Sequence, residues 1–167
     1  MSLELNILEG TMISEDSIKN HLIDITKRVF NTLVLIDVQD DLPLKKPISR
    51  FHASITSMVG LAGTYSGIVS IHCPIKLATK FTSNMLGVEV TGISADVNDA
   101  MGEIANILGG DIKHVLSKRG MDINLSIPTV IYGDEYTIEF ASEEHSLLIP
   151  FNTDNDHFLV GINLQQD

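Results

Sequence analysis

Between Ala95 and Arg119 the apolar residues Val97, Met101, Ile104, Leu108, Ile112 and Val115 return at three- and four-residue steps. That rhythm fits a helix and no strand. Turned at about 100° per residue, the six fill one broad arc. Ser94 stands at the N-cap position and Gly120 where such a helix ends. A helix of this length that is apolar on one side must lie on a layer covering that side. Asp99, Glu103, Asn106 and Gly110 fall together on nearly the opposite side, so this polar stripe is expected to be exposed. Glu103 and Asn106 are related as i and i+3, with Cβ atoms about 5–6 Å apart, and Asp99 sits one turn before Glu103.

The rest of the chain supplies the covering layer. Residues 14–31 predict a helix, with Ile18, Leu22, Ile25 and Val29 as its stripe, Ser14 as cap and Glu15 and Asp16 favourable at its start. TLVLIDV then predicts a strand, and QDDLPLKKP a loop. RFHASITSMVGLAG and YSGIVSIHCP predict a hairpin turning near Gly63 to Gly67. Pro74 opens a second helix, IKLATKFTSNML, closed by Gly87. MDINLSIPTVIYG, YTIEFASEE, SLLIPFN and FLVGINLQ read as strands of an antiparallel meander. The expected fold is therefore α/β of the α+β type, with long helices on a β-sheet in one domain spanning 1–167.

Composition excludes several classes of function. With 22 acids against 11 bases and a formal net charge of −11, no cationic excess is available to displace counterions from nucleic acid. No apolar run approaches the ~20 residues that cross a bilayer, and MSLELNILEG lacks the basic segment of a signal peptide. A cytoplasmic location is expected. A lone cysteine, Cys73, agrees with a reducing compartment and reads as a buried hydrophobe within GIVSIHCPI. His21, His52, His72, His114, His145 and His157 form no close-spaced ligand pair, so no zinc site is expected, and His114 reads as an exposed polar residue. AGTYSG and LGGD lack the GK[ST] ending of a phosphate loop. Ser66 and Ser70 read as hairpin residues without a neighbouring base in sequence.

Two features remain open from the residues alone. Asp24 and Asn31 on the first helix match the spacing of Asp99 and Asn106 on the third, which fits either an internal duplication or chance. Gly109 and Gly110 each cost the helix about 0.5–1 kcal/mol relative to alanine. They serve either tight packing or a partner's close approach beside Asn106.

An acid and an amide on a helix identify nothing by themselves. The wider pattern is more telling: Asp99-x3-Glu103-x2-Asn106, with Pro128 about two dozen residues after Glu103, resembles the signature of the CheC, CheX and FliY phosphatases. In that family the proline lies in a strand after the helix, and NLSIPTVIYG is such a context. GLAGTYSGIVSIHCPIKLATKFTSNMLG adds to the likeness, which runs from about Phe51 to the end. The first-half counterpart, Asp24-x3-Arg28-x2-Asn31, has an arginine for the acid, and Ala53 stands where a proline is needed. One intact motif is similar to CheX-type members rather than two-site CheC.

The resemblance implies a fold of two pseudo-repeated halves, each a helix followed by antiparallel strands, and a homodimer. It implies a phosphatase acting on the phospho-aspartate of a CheY-like response regulator. Asn106 would hold the hydrolytic water, Glu103 would pair with the regulator's lysine, and Asp99 and Pro128 would support them. No cofactor is expected on this chain; the divalent metal, Mg2+, belongs to the regulator. The alternative is a non-catalytic binding module for a regulator or chemotaxis complex, built on the same fold.

Overall fold

The computed structural model describes residues 4–7, 11–117, 122–140 and 145–165. Its elements are β1 (Glu4–Ile7), β2 (Thr11–Ser14), α1 (Glu15–Val29), a π-helical turn (Phe30–Val34), β3 (Gln39–Asp40), β4 (Arg50–Gly63), β5 (Ser66–Pro74), α2 (Ile75–Leu86), α3 (Ala95–Leu116), β6 (Ile123–Leu125), β7 (Thr129–Thr137), β8 (Ser146–Thr153) and β9 (Asp156–Gln165). β1 and β2 form a separate antiparallel hairpin that the sequence reading did not contain. The other seven strands form one antiparallel sheet in the order β3-β8-β9-β5-β4-β6, with β7 also on β4.

The helices begin and end as their residues dictate. Ser14 Oγ accepts from Ser17 N–H and Ser94 Oγ from Val97 N–H. α2 starts after Pro74 and stops at Gly87, whose left-handed φ of 71° is the conformation glycine adopts at lowest cost. Gly120, the expected terminator of α3, lies outside the described residues, as do residues 141–144 of YTIEFASEE; the helix itself runs to Leu116.

The apolar stripe of α3 packs as its phase requires: Val97, Met101, Ile104, Leu108 and Ile112 are buried, with Val115 half-buried. They join Ile18, Leu22, Ile25 and Val29 of α1 in a core against Ile55, Val59, Val69 and Ile71 of the central hairpin. Phe30 stacks on Phe158 at 4.7 Å and meets Phe81 edge-on at 4.9 Å, so the turn after α1, α2 and β9 share one aromatic contact. Cys73 is buried, and desolvation raises its thiol pKa well above the ordinary range.

Three expectations are corrected. TLVLIDV is not a strand: its first three residues complete the π-helical turn, which ends at Leu35 in a left-handed conformation, and residues 35–38 are irregular. Burial of Phe30 and Val34 there outweighs local β-propensity, and a short apolar run has no periodicity of its own to resist that. The late strands are not a meander. β6 and β7 both pair with β4, whereas β8 and β9 form a hairpin that attaches to β5. Pro128 lies between β6 and β7 rather than within a strand, since it has no N–H to give a ladder.

The sheet face away from the helices carries a buried polar chain. His72 Nδ1 lies 2.8 Å from Thr56 Oγ1 and Nε2 lies 2.9 Å from Ser70 Oγ, while Tyr136 OH reaches Thr56 at 2.7 Å. Phe51 stacks on the imidazole at 4.6 Å. Ser70 therefore does have a base beside it, but the sequence reading of it as a hairpin residue stands, because both side chains are buried within this network. Burial holds the His72 pKa at about 4, below its ordinary 6.5. The neutral ring is the form the fold accepts, so its contribution is complete above the unfolded pKa and is lost as pH falls from about 6.5 toward 4. Urea denaturation at pH 7 and pH 5 should show a stability loss about 2 kcal/mol larger in the natural chain than in His72→Gln. Equal losses in the two proteins would refute this assignment.

Candidate active site

α3 exposes Asp99, Glu103 and Asn106 on successive turns, as the helix phase requires. The stripe is not a detached solvent face. It forms one wall of an open groove of about 780 Å³ whose other wall is the β6–β7 connection, from Leu125 to Pro128, with Val130. Gly102 sets the floor between the walls. A β-carbon there would stand 3.5 Å from Pro128 Cβ, so a longer side chain would fill the gap. Sequence reasoning named Pro128 but missed Gly102 and the β6–β7 residues, which no helical periodicity reports.

The glycine pair now separates by role. A β-carbon on Gly109 would meet Val59 Cγ1 at 3.2 Å, so this glycine lets α3 approach β4 closely. Gly110 faces Leu125, where a β-carbon would make ordinary contact at 3.9 Å. Packing explains Gly109; the structure requires nothing special of Gly110.

Pairing with β4 explains the opposite wall. Leu125 pairs with Leu61 and Thr129 with Met58, so β4 advances three residues while the facing strand advances four. The extra residue makes a bulge, the usual device for ending a ladder locally and re-aiming a side chain. Its start is pinned by Ser126, whose N–H donates to Gly60 O at 2.9 Å and whose Oγ accepts from Gly60 N–H at 2.8 Å. Pro128, with φ fixed by its ring, pins its end. Ile127 between them is turned out to solvent, with 86% of its surface exposed.

Among the described residues, the groove's charges are the carboxylates of Asp99 and Glu103, and no lysine, arginine or histidine lines it. Asn106 adds a neutral amide able both to donate and to accept. Neither the Glu103 nor the Asn106 side chain has a hydrogen-bond or ion-pair partner among the described residues. Asn98 Oδ1, on the same wall, is buried without a partner among them. No group of three or more His, Cys, Asp or Glu side chains among the described residues is placed to hold a metal ion. His114 is exposed, as expected.

The first-half counterpart is arranged differently. Asp24, Arg28 and Asn31 are exposed, but Asn31 falls in the π-helical turn, off the α-helical phase of the other two, and donates to Asp37 at 2.7 Å. Arg28 reaches Asp111 of α3 at 3.1 Å and so braces one long helix against the other. Ala53 sits inside β4 with a positive φ of 44°, a backbone state that proline cannot adopt.

Comparison with known proteins places this geometry. The family model described as chemotaxis phosphatase CheX matches residues 55–152, more than half of the chain and the part that builds the groove. The chain belongs to the CheX family. Among solved structures, the CheX chemotaxis protein of Vibrio vulnificus is similar over 89% of this chain and 99% of its own, at 25% identity and a TM-score of 0.78. The CheX protein of Desulfovibrio desulfuricans gives the same coverages and TM-score at 28% identity. A CheX-CheY-BeF3-Mg complex from Borrelia burgdorferi shares the fold over 89% of this chain and 98% of that one, at 21% identity and a TM-score of 0.70. No curated protein matches the sequence significantly. The expected CheC-like fold, with long helices on an antiparallel sheet, is thus the observed CheX fold. No helix among the described residues is long and apolar enough to cross a membrane.

Proposed function

We propose that this CheX-family chain hydrolyses the phospho-aspartate of a CheY-like response regulator, with Asn106 holding the attacking water in line. The charge of the groove carries this reading: two carboxylates and two amides, with no cation among the described residues that line it. Such a surface repels free phosphate but suits a phosphoryl group that arrives already neutralised. A phosphorylated regulator is that kind of substrate, because its acyl phosphate sits beside its own Mg2+ and lysine. The presence of CheY and Mg2+ with a CheX in the Borrelia complex supports the choice of partner.

Phosphoryl transfer of this kind needs an in-line nucleophile and charge stabilisation more than covalent help. The regulator supplies the charge. Asn106 accepts a hydrogen bond from water through its amide oxygen, and the water oxygen attacks phosphorus as the bond to the aspartyl oxygen breaks, releasing inorganic phosphate. A carboxylate at this position would be repelled by the phosphoryl oxygens, whereas the amide is neutral. Glu103 pairs with the regulator's lysine and fixes the helix in register. Asp99 supports that docking from the rim, and Pro128 shapes the wall beneath. No metal and no covalent intermediate on this chain are required, and neither nucleic acid nor a membrane enters the reading.

The same reading makes the chain one CheX-like unit over 1–167, working as a cytoplasmic homodimer. β7 pairs with β4 alone among the described residues, and joining sheets across two copies would cover such an edge. Radiolabelled phospho-regulator incubated with the protein is expected to lose its label faster than it does alone. Unchanged decay across the CheY-like regulators of the same organism would refute the phosphatase reading. Glu103→Ala with Asn106→Ala tests the binding-module alternative: signalling that survives the loss of phosphatase activity would make binding the essential role.

A further inference from the structure

We infer that Ile127 is the apolar anchor that seats the response regulator on the groove and helps select which regulator docks; the inference rests on the phosphatase reading above. Among the described residues Ile127 is the most exposed large hydrophobic, at 86%, ahead of Leu42 at 81%. Nothing in packing asks for it there. The residue is held out by the bulge between β6 and β7, clamped on one side by the Ser126–Gly60 hydrogen bonds and on the other by Pro128 against Gly102. A mount of this stiffness presents the side chain already in position, so little ordering entropy is lost when a partner covers it.

Its place fits a division of labour. Ile127 lines the same groove as Glu103 and Asn106, on the opposite wall. The helix wall offers only polar chemistry, and an exposed carboxylate and amide give register more than affinity. An aliphatic side chain desolvated by a close-fitting partner is the kind of contact that dominates binding energy. The occupant it suits is a regulator surface with an apolar patch beside the phosphorylated aspartate, at the span set by the groove's width. Specificity follows because a regulator with a charge at that patch would bury it against Ile127.

The test compares Ile127→Ala, Ile127→Asp and Leu42→Asp with the natural protein in phospho-regulator hydrolysis, and in binding to regulator loaded with beryllofluoride and Mg2+. Leu42 follows β3, at the edge of the sheet opposite β6. KM and Kd should rise about 10-fold for Ile127→Ala and by more for Ile127→Asp, with kcat at saturation unchanged. Leu42→Asp should leave both unchanged, and all variants should melt as the natural protein does, since the altered side chains are exposed. Unchanged KM and Kd in the Ile127 variants, or an equal rise in Leu42→Asp, would overturn the anchor while leaving an active natural enzyme intact. A natural protein that neither binds nor hydrolyses any regulator would overturn the phosphatase reading and the anchor with it.

Discussion

Replacing Asn106 by alanine is expected to lower kcat for phospho-regulator hydrolysis by at least about 100-fold while leaving KM nearly unchanged. The magnitude follows from what one positioned polar group is worth in a transition state, about 3–4 kcal/mol when a single preorganised donor is removed. It is a fraction of the 7–11 kcal/mol that full orientation supplies, which is reasonable because the regulator keeps its own metal and lysine. An effect on kcat without one on KM marks an interaction used in the transition state alone. Asn106 is exposed and without a partner among the described residues, and alanine is the better helix former, so the variant should fold at least as well. Asn106→Asp is the sharper companion. It keeps the shape but places a negative charge against the phosphoryl oxygens, and should be no more active than the alanine variant. Single-turnover decay of radiolabelled regulator under saturating enzyme measures both; a fall of less than threefold in either would remove Asn106 from the mechanism.

Glu103→Arg is expected to abolish docking rather than chemistry. The substitution installs on α3 the residue type that the first-half pattern carries at Arg28. If Glu103 pairs with the regulator's lysine, the reversal deletes an attraction and sets two cations against each other. Truncating one partner of a buried interfacial ion pair already costs about 2–5 kcal/mol, so Kd for the beryllofluoride-loaded regulator should rise by at least about 100-fold. The loss should be steeper at low ionic strength, where screening is weakest. Titration by fluorescence anisotropy at two salt concentrations provides the check, and a Kd within threefold of the natural protein would remove Glu103 from the interface. Stability is expected to stay within about 0.5 kcal/mol, because Glu103 is an exposed helical residue.

The α1 residues that share the spacing of the α3 stripe are engaged within the chain. Arg28 holds Asp111 of α3, an exposed pair worth at most about 1 kcal/mol. With Asn31 committed to Asp37 in the π-helical turn, the first-half residues serve structure where the α3 residues face an open groove.

Much of the helical half of the molecule was legible in the residues. Periodicity located α1, α2 and α3, and Ser14, Ser94, Pro74 and Gly87 marked their ends, because caps and helical phase are local properties. The same phase put Asp99, Glu103 and Asn106 on one exposed stripe before any tertiary contact was known. The strands were harder. TLVLIDV looked like a strand until packing of Phe30 drew its start into a π-helical turn, and strand partners are long-range choices that no short window contains.

What the sequence by itself determined is therefore the chemistry on offer: an acid and an amide one helical turn apart, a proline downstream, and one intact copy of the pattern. Tertiary structure decided what that chemistry faces. The pairing of both β6 and β7 with β4 forces an extra residue opposite Val59, and the bulge this creates carries Ile127 out across from Glu103 and Asn106. Gly102 leaves the space between them open. A groove is a relation between distant segments, fixed by register and close approach, and neither is encoded in the spacing of residues along one helix.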